Sequence, residues 1–545
     1  VPLVDRKRKE GEVLEYWESI KLPEKLAEID FGKKPFFLLE GPPYANDKPH
    51  VGHVKTIVAK DIFVKFKRMQ GYSVFHVPGF DVHGLPIEVK VEKELGIASK
   101  SDIERVGVEK FMEKCAQFAC ENMERWMDLY KKLGVWKGWY EPYKTCDVSY
   151  LNSAWFTIKS YFEKGLLVEG EKPGYWCPRC QTILTGYEVT DSYKEVEDPS
   201  IIIKFPIKGR EREFLLVWTT TPWTLAANVA IAAHPKEIYV KAKVADETYI
   251  LAEKRLSLLD ELGLKYKILE RFEGEKLSDI KYKPVVDCKL QKELEENEEV
   301  HRVIMSIPLL KRKVSAKILA KKEIAEEESI FEHLVTMDVG TGLVHIAPGH
   351  GAEDFELGKH YNLPSPSPLD DECRYTEEVE LWKGKFVKEA DREIIKYLDG
   401  KGLLLHAGKI RHSYPLCWRC KTPLIFRKTK QWFLKVTEIK DKIIEEAEKV
   451  CWLPEFAKKR YINWALDLED WALSRQRYWG ITLPIWRCEK CNAIEVFGSK
   501  EELEKRANCK LEDLHKDKVD PITFECKICS GKMKREPYTL DVWFD

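Results

Sequence analysis

Apolar residues recur with two different periods in the first hundred residues. The run PFFLLEGPPYA (35–45) opens with apolar residues and ends on a glycine and two prolines, which predicts a short buried strand. HVGHVKTIVAKDIFVKFKRMQG (50–71) has apolar residues at helical spacing and closes on a glycine. YSVFHVPGFD (72–81) predicts a second strand, and HGLPIEVKVEKELGI (83–97) predicts a second helix. This order predicts a βαβ unit and therefore an open, doubly wound α/β sheet.

The rest of the chain changes character several times. Residues 1–35 predict a helix (EGEVLEYWESI) and a polar loop, and residues 105–165 are helical in pattern and rich in tryptophan. Between 195 and 385, strand-like runs such as SIIIKFPI alternate with lysine-rich connectors, which predicts a separate β-rich domain that interrupts the sheet. Ligands bind open α/β sheets at the carboxyl ends of strands, which is where GPPYANDKPHVGH (41–53) lies.

Composition narrows the class of protein only slightly. The chain has 90 basic and 91 acidic residues, so its net charge of -1 neither favours nor excludes nucleic acid. The run KRKVSAKILAKK (311–322) is either a basic patch or an ordinary solvated face. No apolar stretch approaches the ~20 residues of a membrane span, and the N-terminus has no signal-peptide core. We therefore expect a cytoplasmic protein with no membrane partner.

Two histidines, His50 and His53, lie three residues apart at the start of the first predicted long helix. Residues at this spacing share a helix face, and a helix N-terminus attracts phosphate through its unpaired N–H groups. Gly52 between them would let a flat base approach the backbone. The residues alone leave three interpretations open: half of a zinc site, a pair of surface imidazoles, or a clamp for nucleotide phosphates.

The cysteines form a pattern that needs no family to interpret. Of the 15 cysteines, eight lie in four Cys-x-x-Cys pairs, which is typical of metal ligands in a reducing compartment. We predict two structural Zn²⁺ sites, each closed by four thiolates. The predicted ligand sets are Cys177, Cys180, Cys417 and Cys420 for the first site, and Cys488, Cys491, Cys526 and Cys529 for the second.

Several long segments together resemble a known family. PPYANDKPHVGH (42–53) is similar to the His-x-Gly-His signature of class I aminoacyl-tRNA synthetases, in its isoleucyl version of the archaeal or eukaryotic kind, and GFDVHGLPIEVKVEKELGI (79–97) resembles a second segment of that version. VWTTTPWTLAANVAIAAHP (217–235), GTGLVHIAPGHGAEDF (340–355) and DWALSRQRYWG (470–480) match further segments in the family's order. The chain departs from the pattern at Asp47, Phe80, Val82 and Ala226, where glycine, tryptophan, threonine and proline are usual.

The resemblance implies a fold and a set of domains. The fold would be a Rossmann-like catalytic sheet interrupted by a large β-rich editing insertion with zinc knuckles. The expected domains are an N-terminal helical extension (1–35), the first half of the catalytic domain (36–170), a first zinc arm (171–194), the editing domain (195–385), a return arm with the second cysteine pair (386–455), and the start of the second catalytic half with a zinc-ribbon insertion (456–545).

For synthesis, the resemblance implies ATP-dependent ligation of isoleucine to tRNA(Ile), with Mg²⁺ on the phosphates. His50, Gly52 and His53 would then bind the ATP phosphates and stabilise the transition state. Asp81 would bind the substrate ammonium group, with Gly41 and Pro42 beside the amino acid and Trp543 forming a wall of the side-chain pocket.

For editing, the resemblance implies hydrolysis of valyl products. Asp354 would hold the free ammonium group of the misactivated amino acid. Hydroxyl groups would position the ester and a water molecule, and two further residues would complete the pocket. The implied residues are Thr219, Thr220, Thr221, Asn228 and His345.

The family's second ATP signature, Lys-Met-Ser-Lys-Ser, is not found, and KMKRE (532–536) does not match it. We therefore expect this chain to be poor at activation by itself, with a separate chain as a possible source of the remaining half. The alternatives are an editing-only deacylase, a relative of the valyl enzyme, and a non-catalytic zinc-bearing module that binds tRNA.

Overall fold

The computed structural model of the protein describes residues 6–22, 24–26, 32–39, 41–184, 186–190, 192–311 and 331–545. Residues 312–322 of the basic run, and parts of the predicted N-terminal extension, lie outside these residues. The chain divides into two compact units. Unit 1 consists of Val1–Glu169 and Trp432–Asp545, and unit 2 is Gly170–Gln431.

The described helices are numbered in chain order. They are α1 (Arg6–Ser19), α2 (Val51–Met69), α3 (Leu85–Leu95), α4 (Lys100–Val106), α5 (Val108–Lys132), α6 (Val148–Glu163), α7 (Gly186–Thr190), α8 (Ser257–Glu261), α9 (Lys289–Leu294), α10 (Ala352–His360), α11 (Val387–Gly400), α12 (Lys440–Lys449), α13 (Phe456–Leu466), α14 (Lys500–Ala507) and α15 (Lys516–Val519). None of these helices is long and apolar enough to cross a membrane.

The described strands follow the same order. They are β1 (Pro35–Phe37), β2 (Ser73–Phe75), β3 (Gly79–Phe80), β4 (Tyr143–Lys144), β5 (Leu167–Cys177), β6 (Thr182–Leu184), β7 (Tyr193–Pro206), β8 (Glu213–Thr219), β9 (Ala230–Ala233), β10 (Ile238–Val244), β11 (Glu247–Ala252), β12 (Tyr266–Glu273), β13 (Arg302–Met305), β14 (Pro308–Lys311), β15 (Phe331–His333), β16 (Leu343–Ile346), β17 (Leu404–Pro415), β18 (Ile425–Leu434), β19 (Trp471–Ala472), β20 (Ser474–Arg475), β21 (Ile485–Cys488), β22 (Ile494–Val496), β23 (Phe524–Glu525), β24 (Lys532–Arg535) and β25 (Thr539–Leu540).

Unit 1 contains the predicted βαβ unit. Strands β1 and β2 pair in parallel and flank α2 in the sequence. The helix ends just before Gly71, whose φ is 87°. The expectation of a single strand over 72–81 is wrong, because the segment forms β2 and β3 with Pro78 between them. Proline has no N–H to continue a ladder, and β3 pairs instead with β4.

The expectation that the first strand is buried is also wrong for the described residues. Phe37 is 63% exposed and Leu39 is 87% exposed. The reason is that β1 pairs only with β2, in a sheet of two strands. Helix α2 covers one face of this pair, where the Phe36 and Phe63 ring centroids are 5.9 Å apart, and the opposite face leaves Phe37 and Phe75 in solvent.

A second small sheet of unit 1 holds four strands in the order β22-β21-β24-β23. It is antiparallel throughout. Its apolar side packs with α6 residues such as Trp155, whose ring meets that of Trp486 at 6.2 Å. The predicted second cysteine knuckle is built on this sheet.

Unit 2 is built on one mixed sheet of nine strands, which agrees with the predicted β-rich insertion. Its path is β12-β10-β11-β8-β16-β9-β13, and β7 adds to β8 and carries β17 on its other side. Strand β16 is parallel to β8 and antiparallel to β9. This arrangement brings the end of β8, the start of β9 and the middle of β16 together at one place in the sheet.

The core of unit 2 explains why the central strands β8 and β9 are almost wholly apolar. Helix α11 presents Val387, Ala390, Ile394 and Leu398, all fully buried, to the same cluster that holds β8 and β9. Strands covered on both faces need apolar side chains at consecutive positions. In β9 all four residues, Ala230–Ala233, are buried.

Candidate functional site

The His50–His53 pair forms the N-terminus of α2, as predicted. The backbone N–H of His50 donates to Nδ1 of His53 at 3.2 Å, and the two rings stack with centroids 3.6 Å apart. Because Nδ1 of His53 accepts, a neutral ring carries its proton on Nε2. Burial and the charge of His50 lower the pKa of His53, so the neutral ring is favoured and its Nε2–H is available to a phosphate oxygen.

Two details sharpen the interpretation of this pair. A Cβ at Gly52 would lie 3.0 Å from the His50 ring, so any larger residue at this position would press on the stack. Among the described residues, no third ligand joins the two histidines in a possible metal group, which removes the support for the zinc interpretation.

Asp47, one of the departures from the family pattern, accepts from Lys90 Nζ at 2.6 Å on the surface.

The loop that follows β1 is joined to Asp81 by its backbone. The Asp81 N–H donates to the Pro43 carbonyl at 3.1 Å, and the Ala45 N–H donates to the Asp81 carbonyl at 2.9 Å. These bonds place Asp81 against the loop that contains Gly41 and Pro42. Burial, followed by the charge of Asp545, raises the pKa of Asp81 to about 8. A nearby cation would reverse this shift, since an opposite charge favours the carboxylate.

Trp543, the predicted pocket wall, lies in a short 3-10 helix, Val542–Phe544, and is 69% exposed. Its N–H donates to Asp541 Oδ1 at 3.3 Å. Directly after this helix, the side chain of Asp545 is 1% exposed, and its Oδ2 lies 2.6 Å from His83 Nδ1. The segment therefore meets the Asp81 region through Asp545.

In unit 2, the predicted threonines belong to a chain of hydroxyl groups at the end of β8. The Thr219 and Thr221 Oγ1 atoms are 3.3 Å apart, and Thr221 Oγ1 lies 3.1 Å from Thr224 Oγ1. Thr220, between them in sequence, is half-buried. Thr224 Oγ1 is in turn 2.7 Å from Nε2 of His345 in β16.

The protonation of His345 follows from its other partner. Asn228 must accept the Tyr282 hydroxyl at its Oδ1 (2.7 Å), so its Nδ2 donates to the Ala230 carbonyl and to His345 Nδ1 at 3.2 Å. His345 therefore carries its proton on Nε2 and donates it to Thr224. Burial lowers the pKa of His345 to about 4. The ring is neutral at physiological pH and has no free nitrogen for use as a general base.

Asp354 lies at the start of α10, after the turn that follows β16. Its Oδ2 accepts the Ala347 N–H at 2.9 Å, which ties it to the residue directly after the strand of His345. Burial raises the pKa of Asp354 to about 6. The carboxyl group is thus ionised at neutral pH, but it is poorly solvated and would gain from a cation.

Both predicted cysteine sets assemble. In each set of four, the Sγ atoms all lie within 4.8 Å of one another. The Cys177–Cys420 and Cys488–Cys529 Sγ distances are both 3.4 Å. Tetrahedral zinc with bonds of about 2.3 Å spaces its sulfurs about 3.8 Å apart, so the residues fit zinc and are too far apart for disulfides.

Backbone groups around the second cluster also suit thiolates. The N–H groups of Lys490 and Cys491 donate to Cys488 Sγ at 3.4 and 3.5 Å, and such donors stabilise the ionised sulfur. These N–H groups, more than any other cause, lower the pKa of Cys488 to about 6. A Cβ at Gly531 would lie 2.9 Å from Cys488 Sγ, so this knuckle requires glycine.

A family model for class I tRNA synthetases (I, L, M and V) matches residues 12–545. The chain belongs to this family. The isoleucine--tRNA ligase of Methanocaldococcus jannaschii is 46% identical over 98% of the chain, and those of Pyrococcus horikoshii and Thermococcus kodakarensis are 44% and 45% identical over 98%. The chain spans about half the length of these relatives, at 50%, 51% and 51%.

Among solved structures, the synthetase chain is similar to one from the Agrobacterium radiobacter K84 complex titled LeuRS-tRNA-LeuAMS. That match covers 99% of this chain and 59% of the other, at 18% identity and a TM-score of 0.40.

Sequence reasoning missed several residues that hold the synthetase's unit 2 site together. Thr224 lies within the segment 217–235, but the resemblance assigns it no role, although it links His345 to the other threonines. The backbone of the 3-10 helix Pro222–Ala227 is held on both sides: the Trp223 N–H donates to Asp391 Oδ1 at 3.0 Å, and the Trp223 carbonyl accepts the Tyr375 hydroxyl at 2.6 Å. Asp391 and Tyr375 carry no motif, so no local signal could have found them.

Proposed function

We propose that the chain is part of an isoleucine--tRNA ligase that joins isoleucine to tRNA(Ile) with ATP and hydrolyses valyl products at a second site. Relatives at 44–46% identity over 98% of the chain support the choice of isoleucine. The observation that carries the editing part is the continuous hydrogen-bonded path Tyr282–Asn228–His345–Thr224–Thr221 beside the Asp354 segment.

A second site is needed for a physical reason. One missing methylene changes binding by only about 1–3 kcal/mol, and the isoleucyl enzymes are themselves the standard example, with about 150-fold discrimination against valine. A pocket that excludes isoleucine by size can hydrolyse what the first site admits. We place that pocket at the ends of β8 and β16 in unit 2.

Editing at this site would depend on positioning. The Asp354 carboxylate holds the ammonium group of the valyl ester, and the hydroxyl groups of Thr219–Thr221 orient the ester and a water molecule. Water then attacks the ester carbonyl, and the tRNA hydroxyl leaves with a proton. His345 holds Thr224 and takes no proton, because both of its nitrogens are occupied.

Activation would use the residues of unit 1. The substrate carboxylate attacks the α-phosphorus of ATP, and pyrophosphate leaves. His53 Nε2–H and the N-terminus of α2 donate to phosphate oxygens, while Asp81 holds the ammonium group of isoleucine. Mg²⁺ on the phosphates would neutralise part of their charge.

The two four-cysteine sets would hold Zn²⁺ as closed, structural sites. The first set joins the two chain segments at the ends of unit 2, Cys177–Cys180 and Cys417–Cys420. The second fastens the β21–β24 sheet of unit 1. Neither set leaves a coordination position for substrate.

An editing-only deacylase is the second candidate, since the groups of the unit 2 site are all supplied by residues of unit 2. It differs from the ligase only in lacking activation. A tRNA-binding module without catalysis is the outcome if neither reaction occurs.

The test is hydrolysis of valyl-tRNA(Ile) by the chain, with isoleucyl-tRNA(Ile) as the competing ester. We expect the valyl ester to be cleaved selectively, and Asp354→Ala and Asp354→Asn to remove the activity. Glu353→Gln is the matched control, because this exposed neighbour on α10 should leave hydrolysis unchanged. Equal cleavage of both esters, or full activity in Asp354→Ala, would refute the assignment.

A further inference from the structure

Four buried or partly buried side chains form an unbroken series of hydrogen bonds in unit 1. Asp545 Oδ2 lies 2.6 Å from His83 Nδ1, His83 Nε2 lies 2.9 Å from His515 Nε2, and His515 Nδ1 lies 2.6 Å from Asp513 Oδ2. Both imidazoles are almost wholly buried, with 0% and 4% exposure. The residues come from three distant parts of the sequence.

The geometry fixes the number of protons that these four side chains carry. Three hydrogen bonds need three protons, one between each pair of facing atoms. Two carboxylates and two neutral imidazoles together supply only two, and they would leave two nitrogen lone pairs facing each other at 2.9 Å. One additional proton must therefore be present, and the four groups carry a net charge of -1 instead of -2.

The protons can be arranged in two ways with the same total. Either one imidazole is cationic between two carboxylates, or one carboxyl group keeps its acid proton and both imidazoles are neutral. Burial lowers the pKa of His83 and raises the pKa of Asp545. Both directions favour the second arrangement, in which Asp545 donates to His83 and His83 donates to His515.

Surrounding groups hold the histidines rigidly. The Trp479 indole stacks on His515 at 4.7 Å with an angle of 6°, and meets His83 edge-on at 5.1 Å. Its Nε1–H donates to the Val82 carbonyl at 2.5 Å, which prevents it from turning. The neighbouring carboxylate Asp541 is itself paired with Arg475 at 2.5 Å.

His83 connects this hydrogen-bonded series to the residues proposed to hold isoleucine. Its N–H lies 3.4 Å from Asp81 Oδ1, and its carbonyl accepts the hydroxyl of Tyr44 from the loop after β1. Through Asp545 it holds the segment of Trp543. Asp545 Oδ1 is buried and has no hydrogen-bond partner among the described residues.

We propose that His83 and His515 are positioning residues that share a proton between their Nε2 atoms and thereby hold Asp545 and Asp81 in place for the substrate ammonium group. The positioning rests on the proposed function, whereas the shared proton does not. Neither imidazole touches the substrate. His515 acts from α15's N-terminal side, in the segment between strands β22 and β23, so the zinc-ribbon insertion has a direct connection to the amino-acid site.

The first measurement detects the shared proton directly. In the whole chain labelled with ¹⁵N-histidine, a proton between two nitrogens produces a scalar coupling between the two Nε2 nuclei. We expect this coupling in the wild type and its loss in His515→Gln. Two Nε2 nuclei without coupling, in a folded chain, would overturn the proposal.

The second measurement is the affinity for a non-hydrolysable isoleucyl adenylate, isoleucyl sulfamoyl adenosine. His515→Phe keeps the stack on Trp479 but loses both hydrogen bonds, and we expect its Kd to rise about tenfold or more. His515→Gln can still accept from His83 through its amide oxygen, so we expect a Kd within about threefold of the wild type. His406→Gln, an exposed histidine of unit 2, is the control and should leave the Kd unchanged.

The outcomes distinguish the shared proton from the positioning role, which depends on the proposed isoleucine site. Coupling without any binding by the wild type would refute the proposed isoleucine site, and the positioning role with it, while the proton-bridged pair would stand. Binding without coupling would refute the pair and leave the proposed function intact. Equal affinity in the wild type and in a folded His515→Phe would overturn the positioning role.

Discussion

The two candidate sites of the chain differ in how completely their polar groups are satisfied. In unit 2, His345 is neutral, and both of its nitrogens have partners within unit 2. In unit 1, His50 is exposed, and the pKa of Asp81 is raised to about 8 by burial and by Asp545. The His345 network is assembled by hydrogen bonds within unit 2, whereas Asp81 in unit 1, like Asp354 beside the network, is a carboxyl group with a raised pKa that a bound cation would stabilise.

This difference has a physical meaning for the two proposed reactions. Ester hydrolysis requires positioned hydroxyl groups and a water molecule, which fixed hydrogen bonds provide. Activation brings together an ammonium group, a triphosphate and Mg²⁺, so its site can leave charges uncompensated until those ligands bind. Each experiment below either removes this contrast or measures it.

Loss of the first cysteine cluster should have the largest effect. Cys177→Ser should remove one zinc ion per chain and lower the unfolding free energy of unit 2 by more than about 5 kcal/mol, since structural zinc contributes on the order of 10 kcal/mol. Metal analysis and thermal unfolding measure both effects. Cys120→Ser, at an exposed cysteine outside both clusters, should change neither. Unchanged zinc in Cys177→Ser would refute the ligand set.

Thr224→Val, in the unit 2 site, should have the next largest effect. It leaves the Nε2–H of His345 buried without an acceptor, which costs about 1–3 kcal/mol of stability, and it should abolish most valyl-ester hydrolysis. Denaturant unfolding and a deacylation assay test the two effects. Thr190→Val, at an exposed threonine of α7, is the matched control. If Thr224→Val were no more harmful than Thr190→Val, the His345 network would have no role.

The pH dependence of stability should report Asp354. Burial raises its pKa in the folded chain from 3.8 to about 6. A raised folded pKa contributes stability that is complete below the unfolded value and is lost as the pH rises through the folded value. Stability from this group should therefore fall between about pH 4 and pH 6, and Asp354→Asn should remove that part of the profile. A profile identical in the variant would contradict the raised pKa.

The smallest effects should come from the exposed face of α2. Ile62 is 63% exposed, and Ile62→Ala should change stability by less than about 0.5 kcal/mol. Val64, two residues on and 2% exposed, should cost about 1–3 kcal/mol when changed to alanine. Chemical denaturation of the two variants measures the difference. Equal losses would show that the exposed face of α2 is covered in solution.

The sequence predicted elements best where the signal was local. Helix α2, its first residues and its terminal glycine follow from periodicity and capping. Each Cys-x-x-Cys pair could be recognised as half of a metal cluster, because the spacing within a pair is a property of a single turn. The exposure of Phe37 and Leu39 could not be foreseen, since burial depends on what pairs with β1 and covers it.

The residues that support the two sites could not be predicted from the sequence, for a different reason. Asp391 and Tyr375 act on the backbone of Trp223 from positions 168 and 152 residues away along the chain. His515 meets His83 across 432 residues. Contacts of this kind depend on the folded chain, and a single sequence carries no spacing rule for them.

The most direct test of the contrast uses one preparation for two assays. Hydrolysis of valyl-tRNA(Ile) reports unit 2, and isoleucine-dependent exchange of pyrophosphate into ATP reports unit 1. We predict hydrolysis that depends on Asp354, together with exchange that is much slower. Efficient exchange with no hydrolysis would show that unit 1 is the assembled site and would contradict the central claim.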